Sequence, residues 1–417
     1  MRLSRRAFLG TLGAAGGVVA FSTRDLAAAK SALARTFPDL DRHFIFEYYA
    51  WYGMHPVDHW DQDGRVPPID VASNYMPRLG AYDSNSVKVM AQHAKWMREA
   101  GAGAINVSWW GRDSSVDRLI PSLMDVMHDH DLRVAFHLEP YREHHAMYYA
   151  EDVDYLIRRY GDRRKWDAML LLRNANGASG PVFKSFRTIL PATETDCHGK
   201  TFAVGDYAAD EVWKAQTDRV RLTFARDFDH VTLLADSLNF YRTKASGFDG
   251  IAIYDNYVTP ATWRAHAVSC AREDLLFAFN VNPGFDGIVR RHVEPDSCYL
   301  PPGVQPAVPD LTATPPGLKV GPAVSARRYQ EASERRIEES FDTTVALQTD
   351  PALTNARRGF FLVYLNSFNE WHEGHQFEPM KDAGDLTREE RAVGYRNPDD
   401  GRYRLKRLKH LLDKVLS

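Results

Sequence analysis

Cysteine is scarce in this chain: Cys197, Cys270 and Cys298 are the only three in 417 residues. That excludes a disulfide framework and leaves room for one bond, with pairing of Cys270 and Cys298 an open question. Charge of one sign is also lacking. Lys and Arg total 52 against 55 Asp and Glu, a formal charge of -3. With no basic excess to track a phosphate backbone, a nucleic-acid partner is not expected. No apolar run reaches the roughly 20 residues a membrane span needs, so none is expected after the N-terminal segment is removed. Three catalytic motifs are missing as well. No G-x-G-x-x-G follows a first strand, no G-x-S-x-G marks a serine nucleophile, and no H-E-x-x-H marks a zinc protease. No repeat of 20 to 50 residues is visible.

What is present begins with an export pattern. Ser4-Arg5-Arg6-Ala7-Phe8-Leu9 reads as a twin-arginine signal, followed by a weakly apolar, Gly/Ala-rich stretch. Ala27-Ala28-Ala29 offers a small-residue cleavage site, and Ala32-Leu33-Ala34 a second. We therefore expect residues 1–29 to be a signal peptide and 30–417 one catalytic domain. The partner implied is the twin-arginine export machinery, and the location periplasmic or extracellular.

The remainder alternates strand and helix patterns. Eight short apolar, β-branched or aromatic runs stand out: His43–Trp51, Ala104–Trp110, Arg133–Glu139, Pro181–Phe186, His230–Ala235, Gly250–Tyr254, Leu275–Val281 and Phe360–Asn366. Helical stripes lie between several of them. Val87–Ala100 carries Val87, Met90, Ala94 and Met97 on one face, with Ser84 as a candidate N-cap and Gly101 as the stop. Val116–His130, Asp152–Tyr160, Ser237–Ala245, Ser325–Leu347 and Arg402–Val415 read the same way. Eight such units predict the α/β class, as a single (β/α)8 TIM barrel with long loops at the C-terminal face. Pro-rich Glu294–Pro322 is expected as a long loop over the barrel mouth after strand seven.

Catalytic groups of such barrels sit at the C-terminal ends of the strands. Those ends carry Tyr48-Tyr49 with Trp51-Tyr52, Ser108-Trp109-Trp110, His137 and Glu139, Tyr254-Asp255, Asn280 and Asn282, and Asn366 through Glu373. An acidic, amide-bearing, aromatic mouth poor in Arg and Lys suits a neutral polyhydroxy ligand better than a phosphorylated one. Glu370 and Glu373 are three apart, close enough on one turn to face the same side. Adjacent carboxylates split each other's pKa values, and one acid with one anion is what glycoside cleavage uses. A metal set is the competing reading, from His372 and His375 with Glu370 or Glu373, or from His137 with His144-His145. The acid precedes the histidine, unlike the zinc-protease order, so no metal or other cofactor is expected.

The segment Ser367-Phe368-Asn369-Glu370-Trp371-His372-Glu373-Gly374, with Gln376 and Glu378-Pro379, resembles a signature of glycoside hydrolase family 99. Tyr48-Tyr49-Ala50-Trp51-Tyr52-Gly53, Leu79-Gly80-Ala81-Tyr82-Asp83, Ser108-Trp109-Trp110-Gly111, Phe136-His137-Leu138-Glu139-Pro140-Tyr141 and Phe248-Asp249-Gly250 with Tyr254 agree in order. The resemblance spans about Phe44 to Pro379 and implies a (β/α)8 barrel that cleaves internal α-mannosidic bonds with retention. It assigns Glu370 as the base that deprotonates the sugar 2-hydroxyl, giving a 1,2-anhydro sugar, and Glu373 as the acid on the leaving oxygen. Tyr49, Trp110, His137, Glu139 and Tyr254 become candidate sugar contacts, as do Trp371 and His372 beside the pair. The expected substrate is an α-mannan, α-1,2-linked, or a related α-glycan. The alternatives are a non-catalytic glycan-binding barrel and a metal-dependent hydrolase. The sequence departs from the family pattern where Ala252 stands for an expected Tyr and His375 for a common Thr.

Overall fold

A computed structural model describes residues 30, 32–162, 166–254, 258–294, 297–299 and 326–416. The signal segment, Asp255 and most of the Pro-rich loop lie outside the described residues.

The parallel sheet follows the eight sequence runs. Its strands are β1 (Phe44–Tyr48), β2 (Ala104–Trp109), β3 (Arg133–Leu138), β4 (Ser179–Ser185), β5 (Thr232–Ala235), β6 (Gly250–Ala252), β7 and β8 (Val363–Leu365). β7 is split at Phe279 into Leu276–Ala278 and Asn280–Val281. The first half pairs with β6 and the second with β8, so the chain itself closes the barrel through that break. Each strand is followed by a helix. These are α1 (Val87–Ala100), α2 (Ser115–Asp129), α3 (Tyr149–Leu156), α4 (Asp210–Phe224), α5 (Phe240–Ala245), α6 (Pro260–Arg272), α7 (Ala326–Thr349) and α8 (Tyr403–Leu416). This is the (β/α)8 barrel expected from the strand count. The stripe over 87–100 forms a helix with those bounds and stops at Gly101 in the left-handed region, but its N-cap is Ser86 rather than Ser84. Sequence reading did not find α4 and α6. Each buries only a thin stripe, Trp213, Thr217, Val220 and Phe224 in one, and Trp263, Ala267 and Cys270 in the other.

Side chains alternate across each strand, which sorts the core into two layers. Outward-facing Phe44, Phe46, Ile105, Val107, Val134 and Phe136 join the shell beneath the helices. Inward-facing Ile45, Ala104, Ala135, Val182, Leu234, Ala252 and Leu276 fill the bottom of the barrel. One step up the same strands the inward positions turn polar: Glu47, Asn106, His137 and Lys184, all buried. The stagger of the barrel sets Glu47 opposite Asn106, and His137 between Ser108 and Lys184. The fold thus carries an apolar plug, a charged floor and, above it, the mouth.

Cys298 is bonded to Cys197, and Cys270 is a buried free thiol. The open question of a Cys270–Cys298 pair is answered: Cys298 pairs elsewhere. Cys270 lies on the inner face of α6, in an apolar cluster with Trp263 and Phe277 that Cys298 does not reach. No helix among the described residues is long and apolar enough to cross a membrane.

Candidate active site

The two carboxylates come from the loop that leaves β8. Phe377 and Glu378 donate backbone N–H bonds back to Phe368, which closes the loop into a tight knot. Trp371–Glu373 forms one 3-10 turn, and Gly374 ends it in the left-handed region. That turn puts Glu370 and Glu373 on one side. The Tyr254 hydroxyl, just past β6, sits between them, 3.0 Å from Glu373 Oε2 and in closer contact with Glu370 Oε2. A phenol carries one proton, so it donates to one carboxylate at a time. Both acids are buried, Glu370 completely. His375 Nε2 lies 3.0 Å from Glu373 Oε2 and 3.4 Å from Glu370 Oε2. Its Nδ1 is 3.0 Å from Ser367 Oγ, which also accepts the Glu370 N–H. A carboxylate only accepts, so this network assigns the histidine N–H to Nε2.

Neighbouring elements hold this knot in place. Asn369 bonds both the N–H and the C=O of Tyr49, at 2.8 Å each, tying the loop to the end of β1. The Tyr254 carbonyl accepts from Asn280 and Asn366 at 3.0 Å. From the last helix, buried Arg404 donates to the carbonyls of Gly374 and Gln376. Beyond β7, Asp286 and Ile288 donate backbone N–H bonds to the carbonyls of Glu373 and His372.

The other sequence candidates divide into mouth and support. Tyr49, Trp51, Trp110 and His372 form an aromatic wall. Ring centroids are 4.6 Å from Tyr49 to Trp51, 6.1 Å from Trp51 to Trp110 and 5.7 Å from Trp51 to His372. Trp110 is 38% exposed, and its indole N–H donates to Ser108. Ser108 in turn donates to Glu139 at 2.8 Å. His372 Nε2 stands 3.4 Å from Glu370 Oε1. His137 is buried between Glu47 and Glu139. Trp371 is wholly buried. Its N–H is taken by Glu378, and its ring belongs to the cluster of Tyr52, Trp60 and Tyr82.

Sequence reasoning left several contributors off the site. His59, from the short hairpin after β1, stacks on Trp51 at 4.4 Å and 7°. Glu378 collects Tyr82, Trp371 and His93. Its place in the signature was visible, but its role depends on residues nearly three hundred positions away. Glu47 and Lys184 gave no signal, because a charge inside an apolar run does not say what it faces.

Among the described residues two groups have metal-holding geometry. One is Glu370, His372 and Glu373, with donor atoms within 4.8 Å of one another. The other is Cys197, His198 and Cys298, where the two sulfurs are already joined. The alternative set of His137, His144 and His145 does not converge.

A parallel (β/α)8 barrel with a carboxylate pair and an aromatic wall at its C-terminal mouth is an arrangement that glycoside hydrolases use. Residues 39–175 match the model of glycosyl hydrolase family 99. The chain is 27% identical to glycoprotein endo-alpha-1,2-mannosidase of Rattus norvegicus over 363 residues, covering 79% of this chain and 66% of that protein. The Mus musculus protein of the same name is 26% identical, with 84% and 71% covered. The chain thus spans about two thirds of the length of these curated relatives. The solved GH99 endo-alpha-mannosidase from Bacteroides thetaiotaomicron superposes with a TM-score of 0.58 at 19% identity, over 90% of this chain and 97% of that one. In sequence and in fold the chain is thus similar to members of glycosyl hydrolase family 99.

Proposed function

We propose that this protein cleaves internal α-mannosidic linkages, α-1,2-linked mannan being the substrate class, and does so with retention. The observation that carries the reading is the meeting of Glu370 and Glu373 at the Tyr254 hydroxyl. Their nearest oxygens lie within 4.8 Å. Inverting enzymes hold their carboxyl groups about 6.5–9.5 Å apart to admit a water, so the short separation supports retention. In the proposed route Glu370 takes the proton of the 2-hydroxyl, whose oxygen bonds to the anomeric carbon. Glu373 gives its proton to the departing glycosidic oxygen as that C–O bond breaks. Glu373 then deprotonates a water that opens the 1,2-anhydro ring, and Glu370 returns its proton to O2. The names of the curated relatives support an α-1,2-mannoside, and the aromatic wall supplies flat faces for sugar rings.

A proton NMR time course on α-1,2-branched mannan tests this. Short oligosaccharides released first as the α-anomer are expected, and an initial β-anomer would reject the anhydro route. Glu373→Gln should lower kcat by about 10³-fold or more, since one residue serves as both acid and base, while retaining ligand binding by calorimetry.

The Glu370–His372–Glu373 group favours a metal-dependent hydrolase as a second reading. Loss of turnover with chelator and its return with zinc would select that reading. Turnover indifferent to chelator selects the first.

Export is part of the proposal. The twin-arginine pattern and a disulfide, which persists in oxidising compartments, support a periplasmic or extracellular enzyme. Leu33 is buried in the core and Lys30 bonds Asp342 at 2.7 Å, which supports cleavage after Ala29 over Ala34.

A further inference from the structure

Beneath the carboxylate pair lies a buried charged cluster that the proposed reaction does not use. Glu47 stands on the inner face of β1 with no solvent exposure. Its Oε1 receives Lys184 Nζ at 2.5 Å, and its Oε2 receives Asn106 Nδ2 at 3.0 Å. The same Oε2 is 3.2 Å from His137 Nδ1. Burial pushes the Glu47 pKa up, but Lys184 and His137 outweigh it and hold the carboxyl at about 2. Lys184 is fully buried too, with its ammonium 5.3 Å from the ring of Tyr254 and 4.7 Å from that of Tyr364.

The consequence falls on His137. Its Nδ1 faces two groups, Glu47 at 3.2 Å and Glu139 at 3.9 Å. Ionised carboxylates accept and do not donate, so the hydrogen belongs on Nδ1. Lys184 supplies a full counter-charge to Glu47, and in a neutral ring the single hydrogen stays on Nδ1. Nε2 is then a bare lone pair. Both ring nitrogens are buried and neither completes a hydrogen bond among the described residues, but Nδ1 has a carboxylate oxygen at 3.2 Å to attract its hydrogen and Nε2 has none beside it. The ring lies 6.2 Å from Tyr254 and 6.1 Å from Phe186, residues just past the ends of β6 and β4.

We infer that Glu47 and Lys184 are positioning residues that fix His137 in its Nδ1–H tautomer, so that Nε2 accepts a hydrogen bond from a substrate hydroxyl. This rests on the sugar-cleaving reading above for the identity of the donor, but the tautomer is a property of the free protein. Nitrogen-15 NMR of the histidine rings reads it directly, with the His137 signals assigned by their loss in His137→Asn. At about pH 8, well above the ordinary histidine pKa, the expected spectrum shows a protonated Nδ1 and a bare Nε2. Glu47→Gln offers the ring either an oxygen or an N–H, and should mix the tautomers. Turnover of mannan should then fall about 10- to 100-fold in kcat/KM, the range seen when a residue orienting a site group is removed. Because Glu47→Gln strands the Lys184 charge, the paired variant Glu47→Gln/Lys184→Met keeps the floor neutral and serves where the single one fails to fold. It should show the same mixing. A wild-type His137 protonated at Nε2, alone or with Nδ1, overturns the inference. So does an unchanged tautomer in a folded variant, whatever its activity. An intact tautomer effect with no mannan cleavage in the wild type would sink the proposed substrate and leave the positioning role standing.

Discussion

The Tyr254 hydroxyl is the atom on which the two carboxylates converge. With one proton to share between two carboxylates, it can follow the negative charge in the proposed route, where Glu373 would give up and regain its own. Tyr254→Phe keeps the ring and its packing against Phe186 but removes that donor. Two buried carboxylates would then face each other without that shared donor, with His375 close to both. We expect kcat to fall about 100-fold, as when a single preorganised donor is deleted, with a smaller change in KM. Steady-state kinetics on a mannan oligosaccharide give the answer, and an unchanged kcat would strip Tyr254 of this role. At this scale the sequence was informative about chemistry and silent about support. Glu370 and Glu373 are legible because E-x-x-E beside a Trp at a strand end has few structural uses. Asn369 and Ser367 stand in the same segment, yet their hydrogen bonds to Tyr49 and His375 appear only once the chain has folded back.

The element that matters most is the turn after β8, and its weakest point is Gly374. Its φ is +72°, and a Cβ there would lie 2.2 Å from the carbonyl oxygen of Asp286. That oxygen belongs to the segment whose N–H groups hold Glu373 and His372. Gly374→Ala therefore meets a left-handed backbone and a backbone clash at once, and also disturbs the carbonyl that Arg404 grips. A loss of about 3 kcal/mol is expected, from urea unfolding, together with a fall in kcat as the acid pair loses its register. Stability equal to wild type would mean that the turn relaxes freely. Strands were the most readable elements, since each of the eight inner runs is short, β-branched or aromatic and bounded. The long β1–α1 excursion was not readable as structure. It folds a hairpin at Gly53–Asp58 only to lay His59 on Trp51, and no periodicity announces such a contact. Thin stripes hid α4 and α6 for the reason given by their burial: most of their surface is polar and wet.

For the whole molecule, the disulfide and the export route make one argument. The proposed twin-arginine pathway carries a folded chain, whereas the cytosol keeps thiols reduced. The barrel must then be stable without its only bond among the described residues. Cys197 and Cys298 are exposed, on loops outside the barrel core, and no strand of the barrel depends on them. The bond joins positions 101 residues apart, which in the chain-entropy view restricts the unfolded state by up to about 5 kcal/mol. Cys197→Ser/Cys298→Ser should therefore fold, reach the periplasm and turn over substrate like wild type, while unfolding several degrees lower. Reductant should lower the wild-type Tm to the value of the double variant and leave the variant's own Tm where it is. A double variant that fails to fold in the cytosol would place the bond among the requirements for folding, and would count against export of a finished barrel.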